Sequence, residues 1–156
     1  MARTGVMFDF RDLEEFRQQL QAAGNGATQK FIRDFMSEMA WRALAAIKKL
    51  TPVNTGLLRN SFQIGDLVQR GDVYEVEVYT DTEYALHVEY GTKGHWTPGR
   101  WQGKSFVYDP SADTGIYFKA QPGRFMMKLG VEQVDRAMKS HFERHMRKWL
   151  KQHFGG

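Results

Sequence analysis

A chain of 156 residues, 42% of them hydrophobic, suits one domain, and a domain of this size buries ~70% of the surface its unfolded chain exposes. It has no cysteine, which excludes disulfides and thiolate chemistry and makes a cytosolic origin the natural expectation. The formal charge of +4 is too modest to imply nucleic acid by itself, but it is uneven. Arg124, Lys128, Arg136, Lys139, Arg144, Arg147, Lys148 and Lys151 against Glu132, Asp135 and Glu143 leave +5 in residues 124–156, and hence −1 in residues 1–123. Arg3, Asp9, Arg11 and Asp12 interrupt the N-terminus, so no signal peptide is expected, and no apolar run approaches the length of a membrane span.

Val6, Phe8 and Phe10 alternate with Met7 and Asp9, which suggests a short opening strand. From about Arg11 the period becomes helical, with Leu13, Phe16 and Leu20 on one face, and Gly24-Asn25-Gly26 supplies a stop, predicting a helix over 11–23. Thr28 is placed to cap a second helix in which Phe31, Ile32, Phe35, Met36, Met39, Ala40, Leu44, Ile47 and Leu50 share a face. Pro52 ends it, because proline offers no N–H and disfavours helical angles at Thr51. Asn54, Thr55 and Gly56 then provide turn chemistry.

Beyond Gly56 the pattern becomes a meander. Phe62 and Ile64 open a strand, Gly71-Asp72 marks a turn, and Tyr74, Val76 and Val78 alternate with Glu75, Glu77 and Tyr79 as in a half-exposed antiparallel strand. After a turn at Asp81-Thr82-Glu83, the alternation of Tyr84, Leu86, Val88 and Tyr90 with Ala85, His87 and Glu89 favours a further strand over one or two helical turns. Residues 93–121 differ. Trp96, Trp101, Phe106, Tyr108, Tyr117 and Phe118 are interleaved with glycines and prolines and show no sustained period. Two compatible readings follow: a hairpin of residues 102–108 with 115–120 folded on its own domain, or an arm whose aromatics bury against another subunit. Phe125 to about His153 reads as a long closing helix, locally weakened by Gly130. Its basic surplus is either a solvated face or a contact with a phosphate backbone or an acidic neighbouring subunit.

Few residues offer chemistry. His141 and His145 share a helix face, yet no third metal ligand stands at usable spacing. His87 and Glu89 share a face of the expected strand without a nucleophile or second carboxylate beside them, and Gly91-Thr92-Lys93-Gly94 lacks the helix start that phosphate binding needs. No catalytic residue, metal or cofactor is therefore assigned, and an enzyme is not expected. The fold class is α+β, a small antiparallel sheet packed against two or three helices with a long aromatic loop or hairpin insertion.

The run from Thr51 through Pro52, Thr55, Gly56, Leu58 and Arg59 to Ser61, followed by Tyr84-Ala85-Leu86-His87-Val88-Glu89-Tyr90-Gly91-Thr92, resembles the head-tail joining or tail-completion (neck) proteins of tailed bacteriophages. Pro122-Gly123-Arg124-Phe125-Met126 is similar to that family's lead-in to its last helix, and order and spacing agree over roughly residues 5 to 140. Asn54 stands where the family more often has Asp; segment 93–121 is longer than in many members, and the basic stretch after Ser140 exceeds the pattern. The resemblance implies a virion structural protein made in the host cytoplasm and assembled into a homo-oligomeric ring, with a hexamer expected, at the neck or head-proximal end of the tail. Its partners would be a head-tail connector or stopper protein and a tail terminator or tail tube protein. DNA would pass its channel with non-specific contact only, and no membrane is involved. A tail terminator or minor tail protein would share the architecture. A soluble DNA-binding protein would instead grip phosphates with the basic last helix, although no groove-reading motif is present.

Overall fold

The computed structural model describes residues 2–9 and 24–155. They fall into two compact units, one formed by Met1–Ala85 with Met126–Gly156 and the other by Leu86–Phe125. The helix expected over residues 11–23 lies outside the described residues.

In the first unit, strand β1 (Ala2–Asp9) pairs antiparallel with β4 (Val73–Thr80) along its whole length, from Ala2 opposite Thr80 to Asp9 opposite Val73. The other edge of β4 carries β2 (Gln63–Ile64) and β3 (Val68–Arg70). The expected alternation is seen in β4: Tyr74, Val76, Val78 and Thr80 are buried while Val73, Glu75, Glu77 and Tyr79 are half-buried. Helix α1 (Asn25–Leu50) begins three residues ahead of the expected Thr28 cap, with Gly24 at its N-cap, so Gly24-Asn25-Gly26 is a helix start rather than only a stop. It packs on the sheet and against the last helix, and Met36, Met39, Ala40 and Ile47 are fully buried. Thr51 ends it as Pro52 requires, returning both its backbone N–H (2.9 Å) and its hydroxyl (2.7 Å) to the Ile47 carbonyl.

Helix α4 (Met126–Phe154) runs back along α1. The Phe142 ring meets Phe35 edge-on at 5.2 Å and Phe31 at 5.9 Å, and Trp149 lies 5.6 Å from Phe31. At the other end of the pair, Gly130 is pressed on Ile47, where a Cβ would lie 2.6 Å from Cγ1 and 3.0 Å from the backbone nitrogen. The aromatic and methionine stripe of α1 is therefore core, covered by a sheet on one side and a helix on another. The α+β class is as expected.

Between Gly56 and β2 the chain makes a five-residue helix, α2 (Leu57–Ser61), that alternation alone does not reveal. Gly56 takes φ 81°, which a glycine adopts without strain, and Leu58 is the residue α2 buries. Ser61 hydrogen-bonds at 2.6 Å to Thr80, whose hydroxyl also accepts the Thr82 N–H at 3.2 Å. The Thr51–Ser61 run is thus the joint between helix and sheet.

Candidate subunit interface

The second unit is built on a clasp between two stretches about thirty residues apart in sequence. Residues 84–90, expected as strand, contain helix α3 (Ala85–Tyr90), which begins with the Ala85 N–H bonded to the Thr82 carbonyl at 3.0 Å. Ala85 and Glu89, four apart, are buried while His87 midway between them is exposed, the mark of a helical rather than a strand face. His87 is exposed and Glu89 is 3% exposed, so the two are not a shared-face pair. Gly91, at φ 82°, ends the helix, and β5 (Gly91–Thr92) pairs with β9 (Gln121–Pro122). The Arg124 and Phe125 N–H groups then donate to the carbonyls of Val88 (2.8 Å) and Glu89 (3.0 Å).

From this clasp projects a three-stranded antiparallel sheet. Its centre is β6 (His95–Gln102), flanked by β7 (Ser105–Tyr108) and β8 (Gly115–Phe118). The expected pairing of 102–108 with 115–120 does not occur: β7 and β8 each pair with β6 instead. Pro98 and Gly99 conceal β6 in the sequence, yet the partner changes there, from β8 through Pro98 to β7 from Gly99. At the turn after β7, Ser111 donates its hydroxyl (2.6 Å) and N–H (2.9 Å) to Asp109, holding that carboxyl below its usual range.

The aromatics of segment 93–121 are brought together on this sheet, on both faces. Residues directly opposite share a face and alternate along a strand. Trp96 pairs with Tyr117 on one face, where the indole covers Gly115. On the other, His95 stacks on Phe118 at 5.2 Å and Trp101 meets Phe106 edge-on at 5.6 Å, with Tyr108 opposite Gly99. Phe106 is half-buried over Gly99, but Trp96, Trp101, Tyr108, Tyr117 and Phe118 remain between 45% and 64% exposed.

The motif residues lie elsewhere in the fold. Thr55 accepts the Leu57 N–H at 3.3 Å; Pro52, Arg59 and Tyr84 are exposed, Leu58 and Ala85 buried, and Thr92 faces Gln121 in the clasp. His145 is bound to Glu38 of α1 at 2.8 Å, and His141 Nδ1 is buried with no hydrogen-bond partner. No group of three metal-ligating side chains exists among the described residues, and none of their helices is long and apolar enough to cross a membrane.

The described residues thus combine a small antiparallel sheet, two long helices and an aromatic three-stranded sheet unit. Residues 14–91 match the family described as "Bacteriophage HK97-gp10, putative tail-component", and the chain belongs to this HK97-gp10-like family of phage structural proteins. It is 27% identical to the Phage-like element PBSX protein XkdI of Bacillus subtilis (strain 168), over 89% of this chain and 96% of that protein. It is also 26% identical to the uncharacterized protein YqbI of the same strain, over 92% of this chain and 98% of the relative. No solved structure matches the chain significantly.

Proposed function

We propose that the chain is a ring-forming subunit of the virion neck, a tail-completion or head-tail joining protein that links the portal or connector side to the tail tube and leaves a channel for DNA. Membership of a phage tail-component family supports the structural, virion-associated part of this reading. The observation that carries the rest is the aromatic sheet of residues 95–118, exposed on both faces. Large aromatics at this density normally become buried on association, and a sheet with aromatics on both faces fits between neighbours better than against a single flat surface. In this reading Trp96, Trp101, Phe106, Tyr108, Tyr117 and Phe118 form the arm that enters a neighbouring copy or an adjacent ring.

The test is Trp96→Ala with Trp101→Ala. The doubly substituted protein should keep its circular dichroism spectrum, while electron microscopy shows loss of rings or of their attachment to purified tail tubes. Intact assembly and intact joining of heads to tails would overturn the role of the arm. Normally coupled capsids and tails after deletion of the gene would overturn the neck assignment itself.

A further inference from the structure

The first unit carries two surfaces of opposite charge on different layers, an exposed basic one and a half-buried acidic one. Arg144, Arg147, Lys148 and Lys151 recur at spacings of three and four, so they form one stripe over the last turns of α4. All four are exposed, on the side away from Phe142 and Trp149, which pack on α1. Among the described residues, none of the four forms an ion pair. Like charges at this spacing repel one another, so the stripe is stabilised by an anionic partner.

The counter-surface lies on the sheet. Residues 62–85 contain Asp66, Asp72, Glu75, Glu77, Asp81 and Glu83 against Arg70 alone. Glu75 and Glu77 point to the face of β4 opposite the buried Val76 and Val78. The Gly65 N–H donates to the Glu77 carbonyl at 2.8 Å, which brings the corner at Asp66 alongside. Arg70 approaches Glu75 only to 3.8 Å.

Resting on the ring reading above, we infer that successive copies meet through these surfaces, the α4 stripe of one copy lying against the acidic outer face of β4 in the next. A ring of identical subunits needs two different patches on each subunit, and opposite charges steer the encounter and fix its register. Charge complementarity favours a second copy over nucleic acid, because the acidic face that attracts a neighbour's stripe repels a phosphate backbone.

The test is a charge swap in the full-length chain. Arg147→Glu/Lys148→Glu should weaken self-association by on the order of tenfold or more at low salt, as should Glu75→Lys/Glu77→Lys, measured by sedimentation. Mixing the two variants restores opposite charges at every contact and should restore rings. Wild-type assembly of either variant alone, or failure of the mixture to recover, overturns the contact. Normal assembly of the α4 variant together with lost retention on duplex DNA at low salt reassigns the stripe to phosphate. A wild-type chain that stays monomeric both alone and with tail tubes defeats the ring reading itself, whereas wild-type rings indifferent to charge reversal defeat only this contact.

Discussion

The Gly91 α-carbon lies so close to the Gln121 carbonyl that a Cβ there would overlap its oxygen and come within 2.6 Å of the Gly123 nitrogen. This contact joins the stretch ending at Thr92 to the stretch beginning at Gln121 and closes the base from which the aromatic sheet projects. Gly91→Ala should therefore be costly, with about 1–3 kcal/mol from the left-handed backbone alone and more from the overlap. Thermal unfolding should report a lower midpoint, and limited proteolysis should cut the 93–121 segment faster. A variant as stable and as protected as the parent would show that the clasp is not what holds the 93–121 segment.

Thr80 is fully buried and shares its hydroxyl between Ser61 and the Thr82 N–H. Thr80→Val keeps the shape and removes both bonds, at a cost of roughly 1–3 kcal/mol for the polar groups left behind. Denaturant titration should show a lower midpoint with an unchanged slope. No loss would mean that Ser61 and Thr82 find other partners.

Gly130→Ala sets two effects in opposition. Alanine is favoured over glycine inside a helix by about 1 kcal/mol. At this position, however, its methyl would meet Ile47 at 2.6 Å and that residue's backbone at 3.0 and 3.1 Å. Overpacking of this kind costs roughly 1–3 kcal/mol, so the net effect should be destabilising. A raised melting temperature would show that the helices separate freely at this crossing.

Stability should fall with acid in two stages. Burial, reinforced by the nearby Arg42 and Arg144 charges, lowers His141 below its ordinary 6.5, so the unfolded chain takes up this proton first and stability begins to drop below about pH 6.5. Burial tends to raise Glu38, but the Arg42 hydrogen bonds at 2.7 and 2.9 Å and the charges of His145, Arg42 and His141 outweigh it. Its folded value therefore lies below the ordinary 4.5, and its contribution, present above that pH, is lost as the pH falls further. Melting temperatures recorded across this range check both stages. His141→Leu should flatten the upper stage and leave the lower; an unchanged upper stage would assign it to another group.

Much of this was legible in the sequence because it depends on local chemistry. The apolar spacing from Phe31 to Ile47, the stop at Thr51-Pro52, the alternation along β4 and the closing helix are fixed by side-chain periodicity and by proline. The two motifs that suggested the phage family were also readable as residues in order. That they lie at the helix–sheet joint and at the base of the aromatic unit was not, since sequence order does not specify which distant carbonyl receives the Arg124 or Phe125 N–H.

Tertiary structure decided what local pattern left ambiguous. Seven residues from Tyr84 to Tyr90 fit a strand or a helix, and burial of Ala85 and Glu89 with a left-handed Gly91 selects the helix. The central strand of the aromatic unit was hidden by Pro98 and Gly99, and its pairing to both β7 and β8 depends on backbone partners distant in sequence. Gly130 reads in sequence as a weak point in a helix; in the fold it is where two helices cross without room for a side chain. Periodicity shows which face of an element is apolar, but only the assembled chain shows what that face meets, because packing and hydrogen-bond partners are chosen among segments that the sequence leaves far apart.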